Sequence, residues 1–218
     1  RYISVTGVQT CALPICWVIA CSSEAHSSIK SAADVMDVEV LQIETDSEHR
    51  LIGERVAASV DQFHAAHPKK RIFAVVATAG TTNLGIIDDL EGIGKISRDR
   101  GIWYHVDGAY GLAALASPKT KPLFVGVELA DSFIVDPHKW LFAPFDACAL
   151  IYREPEIARS AHTQKANYLE TLEKGEWNPS DYAIHLTRRT RGLPFWFSLA
   201  PHGTKQYAAS MNKTMDLA

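Results

Sequence analysis

The sequence predicts an α/β protein with a mixed, mostly parallel sheet and helices on both faces. Three observations predict it. Apolar runs of strand length alternate with segments of helical period. The runs are near-continuous, as expected of strands buried on both sides. Residues able to do chemistry recur directly after these runs, where ligands sit in open α/β sheets.

In order along the chain, strands are expected over 17–21, 38–43, 72–78, 102–106, 132–135 and 147–152. The clearest are WVIAC, IFAVVA, IWYHV and SFIV, each an apolar run closed by polar or small residues. Helices are expected over 27–36, 53–66 and 90–100. The last carries Leu90, Ile93 and Ile96 at helical spacing with charges between them. Asp88 and Asp89 stand where an N-cap and a first-turn acid belong. The charged stretch 170–181, with Gly175 and Pro179, reads as a mobile loop.

Composition narrows the function. The chain has 218 residues, 47% hydrophobic and 22% charged, enough for one large core. Its formal charge of −3 gives no nucleic-acid footprint. No apolar run reaches the length of a membrane span. His49, His64, His67, His162, His185 and His202 lack metal-ligand spacing, so no metal is expected. Cys21 and Cys148 lie in apolar runs and read as reduced core thiols, which favours a cytoplasmic location.

The segment SFIVDPHKW holds the most chemistry. A buried strand delivers Lys139 at its end, where partial desolvation would favour a neutral, nucleophilic amine. Such an amine suits a Schiff-base lysine. Asp107 ends the strand before it. A lysine Schiff base with an aspartate facing a pyridinium nitrogen is how proteins hold pyridoxal phosphate. The plainer readings are a surface lysine and a strand-end cap.

Four motifs follow in order, each after a strand-like run: AHSS at 25–28, TAGTT at 78–82, HVDGAYG at 105–111 and DPHKW at 136–140. Together they resemble the group II pyridoxal-phosphate-dependent amino-acid decarboxylases, the family of aromatic amino-acid, glutamate and diaminobutyrate decarboxylases. The resemblance covers the chain from Trp17 to Tyr207 and implies the large domain of the aspartate-aminotransferase-like fold type I. It implies that Lys139 carries the cofactor, Asp107 pairs with its ring nitrogen, His26 stacks on one ring face and Ala109 presses on the other. His138 would contact the phosphate. Thr78 would hold the polar edge, with Thr81 and Thr82 as alternatives or as turn residues. Asp136 stands where some members have asparagine, and a carboxylate beside a phosphate would be repelled. Tyr168, in AlaAsnTyrLeu, resembles the catalytic loop tyrosine that protonates Cα, and Tyr182 is the second choice. Arg189 and Arg191 would bind a carboxylate, fix a dimer or form a structural ion pair.

The implied reaction is decarboxylation of an L-amino acid to its amine, an aromatic one first, glutamate or 2,4-diaminobutyrate next. A transaminase or an oxidative deaminase is the chemical rival, and an inactive fragment the non-enzymatic one. The parent is expected to be a homodimer without nucleic-acid or membrane partners. Residues 5–15, VTGVQTCALPI, resemble the translation of a sequencing-library adapter. Residues 1–16 are therefore expected to be non-natural. Residues 17–218 are then part of a cofactor-binding large domain whose phosphate-binding segment and small domain lie elsewhere in a longer protein.

Overall fold

The computed structural model describes residues 16–163 and 178–217. Six strands form one sheet: β1 (Cys16–Ser22), β2 (Glu39–Ile43), β3 (Lys70–Thr78), β4 (Trp103–Asp107), β5 (Ser132–Val135) and β6 (Ala149–Tyr152). Their order is β2-β1-β3-β4-β5-β6. All neighbours run parallel except β5 and β6. Helices α1 (Ser28–Met36), α2 (Gly53–Ala66) and α3 (Leu90–Asp99) connect the parallel strands, so every expected strand and helix is present. Two further helices, α4 (Pro155–His162) and α5 (Gly192–Leu217), follow the sheet.

The two faces bury different residues. Val18, Ala20, Val75, Ala77 and Val106 pack with Val56 and Val60 of α2 and with Leu90 and Ile93 of α3. Ile19, Cys21, Ala74 and Val76 pack with Ala33 of α1 on the other face. Each large aliphatic side chain buried this way contributes about 1.5–3 kcal/mol. The register of β1 on β3 slips once: Val18 opposes Ile72, but Ile19 opposes Ala74. Phe73 is the extra residue. It packs on the α1 face together with Ala74, a break in strict alternation that a bulge produces.

Asp89 caps α3 in place of Asp88, accepting from Gly92 N at 2.9 Å. Asp88 does not join it. Asp88 is 3% exposed and accepts from Leu51 N at 2.8 Å and from Thr78 N at 2.7 Å. It thus turns inward and ties the start of α2 to the end of β3. Its carboxylate replaces backbone partners that the loop cannot supply.

Helix α5 is interrupted at Gly203, whose φ of 71° is not helical, just after Pro201. Beyond that break Tyr207 and Met211 are buried. Ser117 Oγ donates to Asn212 Oδ1 at 2.6 Å, and Lys119 pairs with Asp216 at 3.0 Å. These contacts fasten the second half of α5 to the segment after β4.

Candidate functional site

The strand order changes direction between β1 and β3, because β2 lies on the opposite side of β1. Ligands in such sheets bind beyond the carboxyl ends at that switch point. The loop after β1 carries His26, β3 ends at Thr78, and β4 ends at Asp107. Thr78 and Asp107 are register partners, and Asp107 is also paired with Ile134 of β5. Lys139 follows β5 by four residues. Thr78, Asp107 and Lys139 therefore lie at or just past the carboxyl ends of neighbouring strands.

Asp107 is 7% exposed, and its Oδ1 accepts from Ala109 N at 3.1 Å. Ala109 O in turn accepts from Asp136 N at 2.9 Å. The turn after β4 is thereby tied to the turn after β5. Behind Asp107 on the same strand, His105 Nδ1 lies 2.8 Å from Ser132 Oγ. Burial holds the His105 imidazole below its ordinary value, while the Asp107 charge works against that shift.

Thr78 is 4% exposed, and its Oγ1 has no hydrogen-bond partner among the described residues. An orphaned hydroxyl beside a buried carboxylate costs free energy unless a ligand meets it. Thr81 differs: its Oγ1 accepts from Ile86 N at 3.1 Å, so it serves the turn.

Lys139 corrects one expectation. It is exposed, not desolvated, and its Nζ pairs with Asp136 Oδ2 at 3.0 Å. Asp136 is buried. Cys148 corrects another. It is exposed as a residue, because it precedes β6 instead of lying in it. Shelter around its sulfur still pushes the thiol up to about 12, and a hydrogen bond to Asp136 adds to this. That thiol stays protonated and acts as a donor, not as a nucleophile.

His138 Nδ1 lies 2.6 Å from Ala147 O and 3.1 Å from Ala147 N, so Ala147 engages it in either tautomer. The ring borders an open cleft of about 1380 Å³, lined also by Cys148, Asp146, Arg188, Arg189 and Arg191. Arg191 Nε donates to Asp146 Oδ1 at 3.0 Å, and that bond holds the Asp146 carboxyl below the usual range. His26 stands apart. It is exposed, and its Nδ1 accepts from Ser28 N at 3.2 Å and lies 2.8 Å from Ser28 Oγ. Among the described residues its ring meets neither Asp107 nor Lys139. Tyr168 lies outside the described residues, and Tyr182 sits in a short 3-10 turn, Pro179–Tyr182.

Sequence reasoning missed the aromatic pair that joins the two turns. Tyr110 and Trp140 stack with centroids 5.2 Å apart, and Trp140 Nε1 donates to Thr214 Oγ1 at 2.9 Å. The only signal was their position, one residue after Ala109 and one after Lys139. Asp136 was also visible at three residues before Lys139, a spacing that permits a local ion pair.

With this geometry in hand, comparison with known proteins decides the family. The model of the pyridoxal-dependent decarboxylase conserved domain matches residues 7–218. The chain belongs to the pyridoxal-dependent decarboxylase family. It is similar to an aromatic-L-amino-acid decarboxylase of Bacillus atrophaeus, 33% identical over 92% of this chain and 43% of that protein. It is also similar to an acidic amino acid decarboxylase of Homo sapiens, 32% identical over 92% of this chain and 40% of that one. The crystal structure of mouse CSAD superposes with a TM-score of 0.82 at 26% identity, over 94% of this chain and 42% of that chain. The chain thus spans less than half the length of these pyridoxal-dependent decarboxylase relatives. Its residues fit the cofactor: Asp107 would offer a buried carboxylate to a ring nitrogen, Thr78 a hydroxyl with no partner among the described residues, and Lys139 an amine.

Proposed function

We propose that the longer protein containing this chain is a pyridoxal-phosphate-dependent carboxy-lyase that converts an L-amino acid to its amine. The observation that carries this reading is the convergence of Asp107, Thr78 and Lys139 at the carboxyl ends of neighbouring strands. The cofactor, when bound, supplies an electron sink for the electrons left on Cα when carbon dioxide departs. Lys139 Nζ is the amine that would hold the cofactor. Asp107 opposes the ring nitrogen and favours its protonated form. Thr78 Oγ1 would bind a polar edge of the ring and His138 the phosphate, while Ala109 would bound one ring face and His26, exposed in this structure, the other. Tyr168 returns a proton to Cα. We place the enzyme in the cytoplasm as a homodimer.

An aromatic amino acid is the favoured substrate, in line with the names of several relatives. An acidic one is the second reading, and the arginines of the His138 cleft favour it. Arg191 is already paired with Asp146 and Arg188 donates to Pro179 O, which leaves Arg189 to meet a side-chain carboxylate.

The test uses the full-length protein. Borohydride reduction followed by peptide mapping should place the cofactor on Lys139, and Lys139→Ala should abolish the adduct and amine formation together. An adduct on another lysine would sink the assignment. Amine release from L-tyrosine and L-tryptophan, measured against L-glutamate and L-aspartate, separates the two substrate readings.

A further inference from the structure

Lys139 has a partner that the proposed function does not use. Its side chain is 39% exposed, and an ammonium on a four-carbon stem at such a place would ordinarily sample many rotamers. Here one oxygen of Asp136 holds it at 3.0 Å. Asp136 is in turn set firmly. It is 9% exposed, its N–H donates to Ala109 O, and its carbonyl accepts from Lys139 N at 3.0 Å. The Cys148 thiol lies beside its carboxylate. Four charged or titratable groups from three stretches of chain meet here. Asp136 and Lys139 come from the turn after β5, Asp107 from the end of β4, and Cys148 from the segment entering β6.

Resting on the reading of Lys139 as the cofactor lysine, we propose that Asp136 is its positioning residue. The buried carboxylate keeps Nζ at the strand ends, within reach of an incoming aldehyde, whenever the lysine is free. Asparagine at the same place would keep the shape and one acceptor oxygen but not the charge. This role differs from a contact between Asp136 and the cofactor phosphate, where the two negative charges would repel.

The two roles separate with two probes, pyridoxal phosphate and phosphate-free pyridoxal. The apo form of the full-length protein is mixed with each probe. Adduct growth on Lys139 is then followed by borohydride trapping and mass spectrometry. If Asp136 positions Lys139, Asp136→Asn slows capture of both probes alike, on the order of threefold for losing a half-exposed ion pair. Asp136→Ala slows both at least as much. Far-ultraviolet circular dichroism checks that the variants fold. On the unaltered protein, capture of pyridoxal should slow as added salt screens the pair. Unchanged capture in Asp136→Asn overturns the proposal. So does faster capture of pyridoxal phosphate alone, which would place Asp136 against the phosphate. Wild-type protein that forms no adduct on Lys139 refutes the lysine assignment itself, a result distinct from either of these.

Discussion

Asp88 shows how one side chain can couple the site to solution conditions. Burial pushes its carboxyl up from 3.8 to about 6, although the N–H bonds from Thr78 and Leu51 pull the other way. Between those two values the folded protein holds a proton that the unfolded chain has released. The stability from this group is therefore fully present below about 3.8 and is lost as pH rises through about 6. Unfolding free energies measured with urea at about pH 5 and at about pH 7.5 should show the unaltered protein losing ground to Asp88→Asn as pH rises. The expected relative change is on the order of 1–3 kcal/mol. A difference that does not move with pH would mean that Asp88 is ionised in both states. At this scale Asp107 and Lys139 were legible in the sequence because a strand end dictates where their backbone lies. The Lys139–Asp136 pair and the inward turn of Asp88 were not. Both depend on which way a carboxylate points once neighbouring loops have closed over it.

The packing of elements places a limit on two glycines. Helices α2 and α3 approach so closely that a Cβ on Gly53 would stand 2.7 Å from the backbone carbon of Gly92. Gly53 N also donates to Asp89 Oδ2 at 3.2 Å, so the start of α2 shares the cap of α3. Gly53→Ala cannot be met by a rotamer change, since backbone faces backbone. It should destabilise the fold by about 1–3 kcal/mol, read as a lower denaturation midpoint in urea. A neutral outcome would show that the two helices slide apart without penalty. The elements themselves were legible where period and length agreed, as in β3 and α3. The bulge at Phe73 was not, because IFAVVA is apolar throughout and alternation carries no signal in such a run. Of the region around helix α5 only Arg189 and Arg191, just before its start, stood out. Pro201 and Gly203 interrupt its pattern, and both are ordinary signs of a helix end.

Seen as a whole, the chain exposes apolar surface of a kind that folded proteins usually cover. Trp196 and Phe197 of α5 are 58% and 61% exposed, and Phe145, near the His138 cleft, is 85% exposed. A patch of this kind marks a surface used by something else. The chain spans less than half the length of its relatives, so the expected cover is the remainder of the longer protein or the second subunit of the proposed homodimer. The chain alone should bind an apolar dye strongly, and the full-length protein should bind much less per molecule. Equal dye fluorescence from both would leave the patch without a partner. The stacked pair of Tyr110 and Trp140 gives the assembled protein a property of another kind. Trp140 touches the turn that carries Ala109, adjoins Lys139 and is tethered to Thr214 of α5. An indole so placed is a lamp inside the molecule: its emission reports in real time whether three separate stretches of chain remain in register.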